Sequence, residues 1–83
     1  MSCSTSTSIQ TVIFSRRVFK SQRTMRNFLK RNGFRRRKLD CTEKTCRARQ
    51  IDPGRFCRGT FRTIPLRKKG AGGVMAVVGK RKR

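Results

Sequence analysis

Hydrophobic residues along the chain fall in short clusters separated by basic stretches, and the spacing inside each cluster predicts an element. The segment Ile9–Phe14 (IQTVIF) is β-branched and aromatic, which predicts a strand. Val18, Met25, Phe28 and Leu29 then fall at helical spacing, with Ser21 placed as N-cap and Gly33, after Asn32, at the C-cap. A helix over about residues 22–32 follows, with Lys30 and Arg31 in a last turn where the peptide dipoles favour cations. Arg23, Arg26 and Lys30 fall on its exposed side.

Past Gly33 the period changes from helix to strand. Phe34–Leu39 and Thr45–Ile51 are expected to form a hairpin across a turn at 40–44. Alternation in the second strand puts Arg47 and Arg49 on one face and Cys46 and Ala48 on the other. Asp52-Pro53-Gly54 breaks the strand and starts a single helical turn through Phe56, which Gly59 ends. Phe61–Leu66 and Val74–Val78 read as two further strands, joined by the basic, glycine-rich stretch 68–73. The order β-α-β-β-β-β predicts an α+β fold, one helix packed on a small antiparallel sheet. Residues 1–8 read as a flexible, uncharged Ser/Thr arm, residues 9–79 as one small basic domain and residues 80–83 as a basic tail.

Charge changes the picture from a small domain to a polyanion binder. The 83 residues hold 24 Lys and Arg against 3 Asp and Glu, a net charge of +21. Asp40, Glu43 and Asp52 cannot neutralise that excess from within, so a densely negative partner must. About 21 phosphates of duplex DNA span roughly 36 Å, the scale of a small domain. Arginine outnumbers lysine 16 to 8, and its planar fork suits phosphate, and also carboxylate, better than a point charge does. The candidate nucleic-acid-binding residues are the clustered cations Arg16, Arg17, Arg35, Arg36, Arg37, Lys38, Arg47, Arg49, Arg67, Lys68, Lys69, Lys80, Arg81, Lys82 and Arg83. Arg23 and Arg26 of the helix join them. Such contacts position a protein on nucleic acid without reading its sequence.

Other chemistry finds little material. There is no His or Tyr, and a cysteine nucleophile has no evident base, so no catalysis is expected. Zinc would need all of Cys3, Cys41, Cys46 and Cys57, which lack any close C-x2-C pair, so neither metal nor cofactor is expected. Cys41 and Cys46 bracket the proposed hairpin turn, yet free thiols in an intracellular or nuclear setting are the expected state. Six Phe, with no Trp or Tyr, must supply most of the core bulk, and stacking on bases is the lesser reading. The glycine-rich stretch lacks the order of a phosphate-cradling loop. The longest apolar run, Val74–Val78, is too short to cross a bilayer. The start lacks a charged and then apolar secretory signal; its acid-free, Ser/Thr/Arg-rich composition resembles a mitochondrial presequence, but the whole chain is acid-poor.

Three segments carry a resemblance: Arg47–Phe56 (RARQIDPGRF), Gly59–Leu66 (GTFRTIPL) and Gly73–Lys80 (GVMAVVGK). From Thr45 onward the chain is similar to a short domain of tailed-phage and large-DNA-virus proteins, of the form R-x-R-Q-x-D-P-x-x-F…F-R-T…G-V-x-A-V-x-G-K, with no assigned chemistry. The resemblance implies a viral, particle-associated or packaging role. This chain departs from that form in its stronger basicity and extra cysteines, which leaves open a contact with packaged genome, capsid protein or both. The expectation is a non-catalytic virion structural protein at the capsid interior or on packaged DNA, passing through host nucleus or cytoplasm during assembly. Its expected partners are nucleic acid, with DNA ahead of RNA, and larger structural subunits, with no membrane or small-molecule substrate. The alternatives are a minor capsid or cement protein bridging acidic subunit surfaces, and a small ribosomal or organellar-ribosomal protein bound to rRNA.

Overall fold

Strand alternation decides where the core forms. The structure, a computed structural model, describes residues 3–35, 39–66 and 72–82. In chain order it contains β1 (Cys3–Ser15), α1 (Gln22–Arg31), β2 (Leu39–Cys41), β3 (Thr45–Arg49), a 3-10 turn (Pro53–Arg55), β4 (Arg62–Pro65) and β5 (Val74–Lys82). The five strands form one antiparallel sheet in the order β2-β3-β1-β5-β4. The expected α+β architecture, one helix and a small antiparallel sheet, is what the chain adopts.

On β1, Val12 and Phe14 lie opposite Ala48 and Cys46 of β3 on one side and Ala76 and Val74 of β5 on the other. Alternation therefore aligns three strands' small and apolar side chains into one dry face. Helix α1 covers it with Met25, Phe28 and Leu29, and Leu39 of β2 closes the side. Rings of Phe14, Phe19 and Phe28 meet edge to face, with centroids 5.1, 5.6 and 6.0 Å apart. Each fully buried side chain of this kind contributes about 1.5–3 kcal/mol.

The helix ends follow the sequence signals. Ser21 Oγ accepts from the Thr24 amide at 3.4 Å. At the other end Gly33 takes φ 75°, and the Phe34 amide returns to the Leu29 carbonyl at 2.8 Å. The positive φ turns the chain sharply enough for Phe34 to fold back onto the core. Val18, expected at a helical position, instead sits in the turn before α1 with its methyls against Gly73, and is 57% exposed.

The hairpin is shorter than its hydrophobic pattern suggests. Phe34 and Arg35 belong to no strand, Asp40 lies in β2 rather than the turn, and the bend is made by residues 42–44. The Thr42 amide donates to the Thr45 carbonyl at 2.7 Å, closing that bend. β3 stops at Arg49 because Gln50 has other bonds to make. The buried Gln50 side chain accepts from the Arg35 amide at 2.6 Å and donates to the Arg35 carbonyl at 3.0 Å, clamping the segment that leaves α1. At the same level β1 carries a register irregularity against β5, between Ile9 and Thr11. The Gln10 carbonyl there accepts from both Gln50 and Ile51 amides, and the Gln10 side chain donates to the Ile51 carbonyl at 3.1 Å.

The expected loose ends are corrected. Residues 3–8 are part of β1 and residues 80–82 part of β5, so where an arm and a tail are expected the chain has an ordered ribbon. Thr5 and Thr7 are β-branched, and pairing of Cys3 opposite Lys82 and Thr7 opposite Lys80 satisfies backbone groups that a free arm leaves to water. A disulfide between Cys3 and Cys57 ties the ribbon to the segment before β4, and a second joins Cys41 to Cys46 across the hairpin. The expected free thiols are therefore absent: all four cysteines are paired. Beside the disulfide, Phe56 and Phe61 lie 5.3 Å apart, centroid to centroid, over Gly79. A Cβ at Gly79 would sit 2.8 Å from the Phe56 ring, so only glycine lets the two rings reach the strand.

Candidate nucleic-acid interface

Because Cys46 and Ala48 point into the core, the pleat turns Arg47 and Arg49 to the sheet's other face, opposite Ile13 and Thr11 of β1. Both arginines are exposed, while Thr11 and Ile13 between the flanking strands are nearly covered. On the helix side, Arg23, Arg26 and Lys30 lie on α1 away from its buried residues, and the Arg26 guanidinium donates to Gln22 Oε1 at 3.3 Å. The predicted cations thus do not share one surface. They occupy both sides of a body whose principal extents are 42 × 24 × 18 Å.

Two clefts gather cations from distant parts of the sequence. The first, of about 600 Å³, lies between the β1–α1 connection and the hairpin bend, and Arg16, Arg17, Lys20, Lys44 and Glu43 help line it. Arg16 is fixed there twice: its amide donates to the Lys44 carbonyl at 3.0 Å and its guanidinium to the Thr42 carbonyl at 2.7 Å. The second, of about 380 Å³, is lined by Arg35, Gln50, Ile51, Asp52, Arg55 and Arg81. Arg81 also belongs to the ribbon at the far end of β1 and β5, where exposed Lys80, Arg81 and Lys82 face a strand of exposed and half-buried Ser and Thr. Hydroxyls beside cations, with no acid among them, make a strip of phosphate-compatible donors.

No ion pair joins two described residues, so neither the acids nor the fold neutralises this charge. Asp40 stands opposite Arg47 in the β2–β3 register without pairing to it. Of the predicted site residues, Arg16 and Arg17 share the first cleft, Arg35 and Arg81 share the second, and Arg47 and Arg49 lie apart from both. Arg36, Arg37, Lys38, Arg67, Lys68, Lys69 and Arg83 lie outside the described residues. A reading based on runs of charge passes over Lys20, Lys44 and Arg55, which stand singly in sequence but complete the clefts. The nearest signal for them is position, since Lys20 precedes the Ser21 cap and Arg55 sits in the Pro53 turn.

Among the described residues no helix is long and apolar enough to cross a membrane. Compared with known protein families, curated proteins and solved structures, the chain matches none.

Proposed function

We propose that the chain is a non-catalytic structural protein of a virion, binding nucleic-acid phosphates from within the particle, at the capsid interior or on packaged DNA. The observation that carries this reading is the presence, among the described residues, of unpaired cations on both sides of the sheet. A partner docking on one side would leave the other side's charge facing water. A partner that surrounds the protein neutralises both, and packed nucleic acid does so with the densest charge available.

The viral element rests on the resemblance of the segment from Thr45 onward. The two disulfides weigh against the ribosomal alternative, because such bonds are rare in the cytosol, where most ribosomes work. A second reading, a cement protein, draws on a separate feature. Among the described residues the outer edge of β4 pairs with no strand, all four residues of β4 are exposed, and Ile64 is 40% exposed along it. An unpaired edge with an apolar side chain is a surface that a larger subunit could extend.

Salt dependence of binding to a short DNA duplex, beside a structured RNA and an acidic polypeptide, tests the proposal. A steep slope for nucleic acid is expected. It should fall by about 0.9 for each duplex phosphate that Arg47→Ala/Arg49→Ala no longer neutralises, and similarly in Arg23→Ala/Arg26→Ala. A change in only one of those pairs would mean one-sided docking. Equal or stronger binding to the acidic polypeptide would turn the assignment to the cement protein.

A further inference from the structure

We infer that the cleft between Arg35, Arg55 and Arg81 is a built phosphate-binding site, which grips a single phosphate group rather than merely attracting a polyanion. This rests on the nucleic-acid reading for its ligand's source, but its geometry stands separately. The three arginines come from the segment after α1, the 3-10 turn and the last strand, so the fold, not the sequence, brings them together.

Each of their backbones is fixed by an independent device. The Gln50 side chain, itself only 7% exposed, holds both the amide and the carbonyl of Arg35. The Arg55 amide donates to the Asp52 carbonyl at 3.0 Å inside a turn capped by Asp52 Oδ1 on the Gly54 amide at 2.9 Å. Arg81 bridges to Phe56, next to the Cys57 amide that donates to the Lys80 carbonyl at 2.8 Å, and the Cys3–Cys57 disulfide locks that junction. These anchors fix where each side chain starts, so only the exposed side chains themselves, and not the backbone, have to order when the guanidinium forks close on a ligand.

Three arginines lining one concavity raise the free energy of the empty protein, because like charges repel. Asp52 lines the same cleft and offsets one of the three charges. It forms no ion pair with any of them, and one of its oxygens is already engaged as the turn's cap. The remaining positive charge calls for an anion. A carboxylate has two oxygens and is satisfied by one arginine fork, whereas a phosphate group offers several oxygens in tetrahedral array to forks arriving from different directions. The larger first cleft is a weaker candidate, since two of its four cations are lysines, which bind as point charges rather than forks.

The test is a titration of the oxidised full chain with inorganic phosphate at constant ionic strength, against chloride, followed by amide chemical shifts. Saturable shifts are expected at the Gln50 side-chain amide and at the Gly54 and Arg81 backbone amides. Arg55→Ala/Arg81→Ala should weaken them roughly tenfold to a hundredfold. Arg55→Lys/Arg81→Lys, which keeps the charge and removes the fork, should fall between, and Arg47→Ala/Arg49→Ala should leave them unchanged. Linear, unsaturating shifts spread over every basic surface would overturn the site. So would phosphate binding that survives in a folded Arg55→Ala/Arg81→Ala chain.

A second arm uses the short duplex to find the phosphate's source. Loss of duplex affinity in Arg55→Ala/Arg81→Ala beyond that of Arg47→Ala/Arg49→Ala supports the site with a nucleic-acid phosphate as its occupant. Saturable inorganic phosphate binding, with no such extra loss on the duplex, supports the site with a free phosphate or small phosphoester. Salt-insensitive duplex binding by the unaltered chain would sink the nucleic-acid reading while leaving the phosphate titration to decide the site.

Discussion

The two ends of the β1–β5 pair are built on opposite principles. Near Phe14 and Val74 the strands lie under α1, and the rings of Phe14, Phe19 and Phe28 fill the space between helix and sheet. Near Cys3 and Lys82 the same two strands carry hydroxyls and cations, and are held by a disulfide and by two rings resting on Gly79. One end is stabilised by removing apolar surface from water. The other has little apolar surface to remove, so it relies on a covalent tie that acts mainly by restricting the unfolded chain. The division suits a highly charged protein: each cation added to the ribbon leaves the core untouched.

The comparison breaks or sharpens at three positions, taken from the largest expected effect downward. Phe28→Ala should destabilise the fold by about 3–5 kcal/mol in denaturant unfolding with the disulfides intact, since Phe28 is 6% exposed and touches both other rings. An unchanged midpoint would remove the helix from the core end's account. Replacing both Cys3 and Cys57 with Ser opens a closure spanning 54 residues, at a cost of about 2–4 kcal/mol. Hydrogen exchange should then quicken at both ends, but more at Thr7 and Lys80, which also open locally, than at Phe14 and Val74, and equal quickening at both would erase the distinction drawn above. Gly79→Ala should cost about 1–3 kcal/mol, by pushing the new methyl against Phe56 and Phe61. A neutral result there would show that the two rings can shift aside freely.

Legibility in the sequence follows the same division. The α1 end is readable because its signals are local: Ser21 and Gly33 bracket the helix, Met25, Phe28 and Leu29 mark its buried side, and strict alternation from Cys46 to Arg49 sorts β3 by face. The ribbon end is not. A serine- and threonine-rich stretch has no hydrophobic period to betray a strand, and the partner of Cys3 cannot be deduced from spacing alone. The hairpin's first strand is misleading for a related reason, since Phe34 is apolar because it folds back onto the core, not because it lies in a sheet. For the candidate site, runs of arginine and lysine point to basic surfaces. They carry no information on which cations meet, and the cleft of Arg35, Arg55 and Arg81 is assembled from one residue each of the segment after α1, the 3-10 turn and β5.

The position of β5 has a consequence for the order of events during synthesis. It lies inside the sheet, between β1 and β4, although it is the last strand in sequence, and Phe14 pairs with Val74 across most of the chain. Until residues 74–82 have left the ribosome, β4 has no neighbour in the sheet and the first strand lacks the partner of its whole length. Contacts of such long sequence separation form slowly, because the loop must close before any pairing rewards it. Over that interval the nascent chain is a polycation without a finished sheet, and an anionic template present at the time would meet β1 and β4 before β5 does.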